Sequence, residues 1–118
     1  MWIRLSIACL VLSGCANGGW NAADTYRQSG VVALMTVDWA QTRKIAKNPD
    51  RYSENNPILG SHPSTGEVDA YFLTCAVAHT AVAMALPPKY REWWQYVFIG
   101  VEAVAVGHNM SIGLGVGL

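Results

Sequence analysis

The feature that most restricts the fold is a pair of long apolar runs that meet at two consecutive prolines. The first run covers residues 68–86 and the second covers 93–118, and both are almost free of charged residues. Each run is long enough to cross a bilayer as a helix. Pro87 and Pro88 cannot continue the first helix but suit the first turn of the second. The sequence therefore predicts a C-terminal helical hairpin.

The composition points to a membrane as the surrounding solvent. Of 118 residues, 52% are hydrophobic and only 14% are charged, against about 25% charged in soluble domains. Lys and Arg number 8, as do Asp and Glu, so no basic surplus indicates nucleic-acid binding. A chain this short cannot build a globular core beside a separate membrane anchor. We therefore expect the membrane to hold most of it, in one domain over residues 21–118.

A further helix is predicted over residues 22–47. Asn21 followed by Asp24 is typical of a helix start, and no breaker occurs before Asn48-Pro49. About 26 residues give about 39 Å, enough to cross a bilayer with tilt. The apolar part is interrupted by Asp38, so this helix either spans with a polar stripe turned inward or lies along the membrane surface.

The hairpin helices are predicted over residues 65–86 and 89–112. Ser64 and Glu67 fit a capping box just before the first of them. Alternating glycines after Ser111 weaken the helix, so fraying is expected there. The fold class is all-α: a small membrane bundle with two to three transmembrane helices and a polar loop at 48–63.

The N-terminus has the pattern of a secretory leader. A short positive start is followed by an apolar run and small residues up to position 14. The sequence Leu12-Ser13-Gly14-Cys15 resembles the lipobox of bacterial lipoproteins. The resemblance implies a signal peptide at 1–14, diacylglycerol on Cys15, and a lipidated tether at 15–20. The alternative is a plain N-terminal transmembrane helix that contains Cys15.

The distribution of cations sets the expected orientation. Arg43, Lys44, Lys47 and Arg51 follow the first helix, whereas only Lys89 and Arg91 lie at the hairpin tip. By the positive-inside rule the loop is cytoplasmic, with three crossings. The expected location is the bacterial inner membrane, with the lipid anchor on the periplasmic side. If the first helix only lies on the surface, the loop is periplasmic instead.

Several polar side chains fall within the predicted spans, where ionisable groups are costly and point to pairing or function. They are Asp38, Gln41, Asp69, His79, Glu102, His108 and Asn109. We compare residues by their distance from the hairpin tip along each arm. This places His79 close to Glu102, and it places Asp69 level with His108. We expect such pairs to hold the bundle together. The alternative is a proton- or ion-coupled subunit that uses Asp38, His79 and Glu102.

The third helix has two distinct faces. Gly100, Ala103 and Gly107 form a smooth face suited to close helix approach, and Glu102 and Asn109 lie opposite. Two faces indicate two neighbours. The expected partners are therefore the lipid bilayer and either a membrane protein or further copies of this chain.

The polar loop is either a connector or a docking or gating segment. Its candidate interaction residues are Glu54, Asn56, Pro57, Gly60 and His62. From about residue 31 onward the chain resembles small helical membrane proteins of proteobacteria and their phages, which have no established activity. The motifs that carry the resemblance are Asp38-Trp39-Ala40-Gln41-Thr42, Glu54-Asn55-Asn56-Pro57-Ile58-Leu59-Gly60 and His62-Pro63-Ser64.

No catalytic or metal-binding motif occurs in the sequence. Neither a His-x-x-x-His nor a Cys-x-x-Cys spacing is present, and there is no phosphate-binding glycine loop. We expect no enzyme activity and no cofactor apart from the lipid on Cys15. The predicted function is that of a structural or interaction subunit of the cell envelope, with a possible phage connection.

Overall fold

The computed structural model describes residues 19–117. The predicted signal peptide and Cys15 lie outside the described residues. Over 19–117 the chain forms three helices and no strand: α1 is Ala22–Lys47, α2 is Thr65–Ala85 and α3 is Pro88–Ser111. The all-α prediction is confirmed. Of these helices, α2 alone is long and apolar enough to cross a membrane by length and composition.

The helix starts follow from local chemistry. Asn21 and Ser64 each accept a hydrogen bond from the backbone N–H three residues on, and Asp24 and Glu67 accept one from the cap N–H in return. Both predicted caps are therefore confirmed as capping boxes. Leu86 is extended because a proline follows it, so α2 ends at Ala85, one residue before the predicted end.

Helix α1 packs along both helices of the hairpin. It makes most of the contacts between helices, whereas α2 and α3 touch each other far less. Contacts between α2 and α3 include those of His79 with Trp94 and Phe98, close to the tip. The arms of the hairpin are therefore bridged by α1 over much of their length.

The C-terminal tail turns back onto α1, so the prediction that this segment only frays is wrong. Leu114 is buried, and Gln41 Nε2 donates to the Gly115 carbonyl at 2.5 Å. Gly117 has a φ of 82°, and a Cβ there would overlap the backbone of Ala40 and Gln41. Glycine is needed at this position for both its conformation and its small size.

A buried arginine holds the hairpin end of the bundle together. Arg91 is 0% exposed, and its Nη1 donates to Asp24 Oδ2 at 2.9 Å. Its Nε and Nη2 donate to the carbonyls of Ala83 and Leu86 at 2.7 and 3.0 Å, at the end of α2. The guanidinium also lies 5.1 Å from the ring centroid of Trp20. One side chain of α3 therefore links the start of α1 to the end of α2.

We predict that Arg91→Met destabilises the protein by about 3 to 5 kcal/mol, because it leaves the Asp24 carboxylate buried without its main partner. The double variant Asp24→Asn/Arg91→Met should lose less than the sum of the two single variants. Unfolding of the purified protein in mild detergent measures the three losses.

The control is Asp69→Asn. Asp69 pairs with Arg43 on a partly exposed surface, where solvent screens the attraction, so a much smaller loss is expected. A strictly additive double variant, or a loss for Arg91→Met no larger than that for Asp69→Asn, would contradict the role given to Arg91.

Candidate functional site: the polar interior

The interior of the bundle is lined by polar side chains to an unusual degree. Among the described residues, nine polar or charged side chains are buried, against eight hydrophobic ones. The polar set is Asp24, Gln28, Gln41, Thr42, His79, Arg91, Gln95, Glu102 and Asn109. Buried polar groups require hydrogen-bond partners. These residues form two clusters, one at each end of the bundle.

The hairpin-end cluster is a chain of amide hydrogen bonds. Gln95 Nε2 donates to the Asp24 carbonyl at 3.1 Å and to Gln28 Oε1 at 3.2 Å. Gln28 Nε2 lies 3.0 Å from Thr80 Oγ1 and 3.1 Å from His79 Nδ1. Because an amide nitrogen only donates, His79 Nδ1 accepts, and the ring proton belongs on Nε2. His79 is therefore a neutral member of the packing core.

Aromatic rings enclose this histidine. Its ring stacks on Trp94 at a centroid distance of 5.1 Å and meets the edge of Phe98 at 4.4 Å. Trp94 Nε1 donates to the His79 carbonyl at 3.1 Å. Nε2 of His79 has no hydrogen-bond partner within the described chain. This enclosure favours a structural role for His79.

The loop-end cluster is built around two carboxyl groups. Asn109 Nδ2 donates to Asp38 Oδ1 at 2.8 Å and to Gln41 Oε1 at 3.1 Å. Asp38 also lies within hydrogen-bonding reach of Glu102, so carboxyls from α1 and α3 face each other. Glu102 is only 9% exposed, and its Oε2 is buried without a hydrogen-bond partner among residues 19–117.

The structure brings together four of the seven polar residues predicted within the spans, namely Asp38, Gln41, Glu102 and Asn109. The expected contact of His79 with Glu102 is wrong: each belongs to a different cluster. The trio of Asp38, His79 and Glu102 therefore does not form one site. Counting along a hairpin assumes that its arms pack together throughout, whereas here α1 bridges them.

The expected pairing of Asp69 with His108 is also wrong. Asp69 accepts hydrogen bonds from Trp39 Nε1, at 2.7 Å, and from Arg43 Nη1, both on α1. His108 lies on the outside of α3, where its Nε2 is 3.1 Å from Asn55 Nδ2. Each residue contacts α1 or the loop in place of the other hairpin arm.

The loop is held mainly by its own hydrogen bonds. Glu54 Oε1 accepts from the backbone N–H groups of Asn55 and Asn56, each at 2.9 Å, and Asn56 Oδ1 accepts from the Ile58 N–H at 2.9 Å. Gly60 closes the turn with a φ of 77°. Pro57 and His62 are exposed. The described contacts of the candidate loop residues therefore fit a compact turn.

The sequence interpretation missed Gln95, Gln28 and the burial of Arg91. A signal for Gln95 was present, because Gln95, Glu102 and Asn109 recur every seven residues and so share one helix face. The burial of Arg91 had no such signal, since a cation beside a hairpin tip is typical of a solvated turn. Within residues 19–117, no three His, Cys, Asp or Glu side chains are grouped so that they could hold a metal ion.

Comparisons of this chain with protein-family models, with curated proteins and with solved structures find no match.

Proposed function

We propose that this protein is a small membrane-embedded lipoprotein that acts as a structural or interaction subunit of a bacterial cell envelope. The observation that carries the proposal is the inverted distribution of its side chains. About half of the buried side chains are polar, whereas large hydrophobic side chains are exposed on the surface of α2 and α3. In water this arrangement exposes apolar surface at a cost, whereas in lipid it places each side chain in a favourable solvent.

The outer faces of the hairpin support embedding most directly. On α2, Leu73 and Val77 are 59% and 64% exposed, and on α3 Val101 and Val104 are 56% and 74% exposed. Only 22% of the apolar window of α2 is buried within the bundle. The core helix of a soluble protein would be mostly covered by its neighbours.

Exposed hydroxyls on α1 fit the same environment. Ser29 Oγ donates to the Thr25 carbonyl at 2.8 Å, and Thr36 Oγ1 donates to the Val32 carbonyl at 2.7 Å. Such bonds to the preceding turn satisfy a hydroxyl where no water is present. With its polar residues turned toward α2 and α3, α1 is proposed to cross the bilayer alongside the hairpin.

Aromatic and basic residues mark the two ends of the bundle. Exposed Tyr26, Tyr90, Trp93 and Tyr96 lie at the hairpin end, as in an interfacial aromatic belt. Arg43, Lys44, Lys47 and Arg51 lie at the loop end. We therefore propose a cytoplasmic loop, with the hairpin tip and a lipid on Cys15 at the periplasmic face of the inner membrane.

One face of α3 suits a protein partner. A Cβ added at Gly100 or Gly107 would meet no atom within 4 Å. Small residues on an open face let another helix approach closely in a membrane. The partner is proposed to be a membrane protein or a second copy of this chain.

The test of embedding is Val77→Lys, which adds a charge to an exposed position in the middle of α2. On the surface of a soluble protein such a change is nearly neutral. Facing lipid it should cost about 2.5 to 3.5 kcal/mol, so we expect far less full-length protein in the membrane fraction, because a bundle that fails to insert is degraded. Alkali extraction alone is no test, because the proposed lipid on Cys15 resists it.

Ile58→Lys serves as the matched control, because Ile58 is 79% exposed in the loop. We expect it to leave the membrane fraction unchanged. Equal behaviour of the two variants would contradict embedding of α2.

The test of the lipid anchor is Cys15→Ser. We expect this variant to lose metabolic labelling with palmitate and to keep its leader, because the sulfur that accepts diacylglycerol is gone. Cys75→Ser, which removes a half-buried thiol of α2, should leave labelling unchanged. Palmitate that persists in Cys15→Ser would contradict the lipoprotein assignment.

A further inference from the structure

The carboxyl pair of Asp38 and Glu102 has no cation beside it. The fully buried Asp24 does have such partners, because it is paired with the guanidiniums of Arg27 and Arg91. No ion pair to Asp38 or Glu102 occurs in residues 19–117. Two adjacent negative charges cannot both persist in a site shielded from water. The pair therefore needs a positive charge that residues 19–117 do not supply.

The hydrogen bonds around the pair indicate which of the two carboxyl groups holds the added positive charge. Asp38 Oδ1 accepts from Asn109 Nδ2 at 2.8 Å and from Thr42 Oγ1 at 3.4 Å, which suits an ionised carboxylate. Glu102 faces Asp38, and two carboxyl groups hydrogen-bond only when one carries a proton. Asp38 has these two donors to stabilise a negative charge, whereas Oε2 of Glu102 has no donor within residues 19–117, so we place the proton on Glu102.

A second observation points to a ligand at the same place. Glu102 is only 9% exposed to solvent, yet its Oε2 has no hydrogen-bond partner in the part of the chain that the structure describes. A buried carboxyl oxygen without a donor is expensive as an anion and much less so in a neutral acid. This favours a protonated Glu102.

The groups around the pair add no positive charge. From the loop, Glu54 lies near enough to repel the charge on Asp38, and its Oε2 is also buried without a partner. From α2, Tyr71 interacts with Cys75 and lies near enough to Glu102 to be affected by its charge. From α1 and α3 the neighbours are the neutral Thr42 and Asn109. A proton is thus the cation that fits, since the described residues offer no group of metal ligands.

We propose that Asp38 and Glu102 form a proton-binding site, in which Glu102 holds one exchangeable proton and donates it to Asp38. Release breaks the O–H bond of Glu102 and passes the proton to water, and the repulsion between the two carboxylates that remain favours its return. The proposal rests on the membrane embedding proposed above, because the bilayer keeps bulk water from the pair. The ligand is a proton, and Asp38 and Glu102 are the residues that bind it.

The experiment is infrared spectroscopy of the full-length protein in lipid at neutral pH, in H2O and in D2O. We expect one carbonyl band of a protonated carboxylic acid, which shifts on deuteration. Glu102→Gln should remove the band. Asp38→Asn should weaken or remove the band at neutral pH, because the neighbouring negative charge that favours the proton on Glu102 is gone. Asp69→Asn, whose carboxylate is already paired, should leave the band unchanged.

Circular dichroism checks that each variant keeps its helices, and Gln and Asn keep the shapes of the replaced side chains. A band that survives Glu102→Gln, or one that is unchanged in Asp38→Asn, would contradict the placement of the proton. Absence of the band in the unmodified protein would overturn the proposal. If the band is present without alkali metal ions but disappears when sodium or potassium is added, a metal cation is the ligand and the proposal is wrong. Membrane retention of the Val77→Lys variant is measured separately, so failure of the proton site and failure of embedding are distinguishable.

Discussion

The arrangement of the three helices depends on the buried ion pair between Arg91 and Asp24. These side chains are 0% and 1% exposed, so neither charge is solvated by water. A buried ion pair contributes little net stability, but removal of one partner is costly. Since Arg91 also binds carbonyls at the end of α2, the pair fixes which end of α1 meets the hairpin. Once the start of α1 lies beside the hairpin tip, the positions of the three helices along one another bring the residues of both polar clusters together.

A polar interior is a reasonable solution for a chain this small in lipid. Apolar side chains gain little by leaving lipid for a protein interior, so hydrogen bonds and close packing must hold the helices together. The hairpin-end cluster satisfies its amides through Gln28 and Gln95, and the loop-end cluster does so through Gln41 and Asn109. The pair of Asp38 and Glu102 differs from these amides, because two carboxyls meet there with no cation from residues 19–117. For this reason it is the strongest candidate for a function beyond structure.

The sequence predicted what depends on neighbouring residues and missed what depends on long-range packing. Both capping boxes and the break at Pro87-Pro88 are local, and the helices lie within one residue of their predicted bounds. The spacing of residues along α3 also predicted that Glu102 and Asn109 lie opposite the open glycine face, and both are buried. The pairing of Asp38 with Glu102 was not, because it depends on α1 bridging the hairpin arms. No periodicity within a single helix encodes that arrangement.

Lipid contact on the outer face of α3 tests the inverted fold most directly. A photoreactive amino acid is placed at Val104, which is 74% exposed, and separately at Val106, which is 9% exposed. After illumination of intact membranes, mass spectrometry identifies the adducts. The account predicts phospholipid adducts from position 104 and only protein crosslinks from position 106. Equal lipid adducts at both positions, or none at 104, would contradict it.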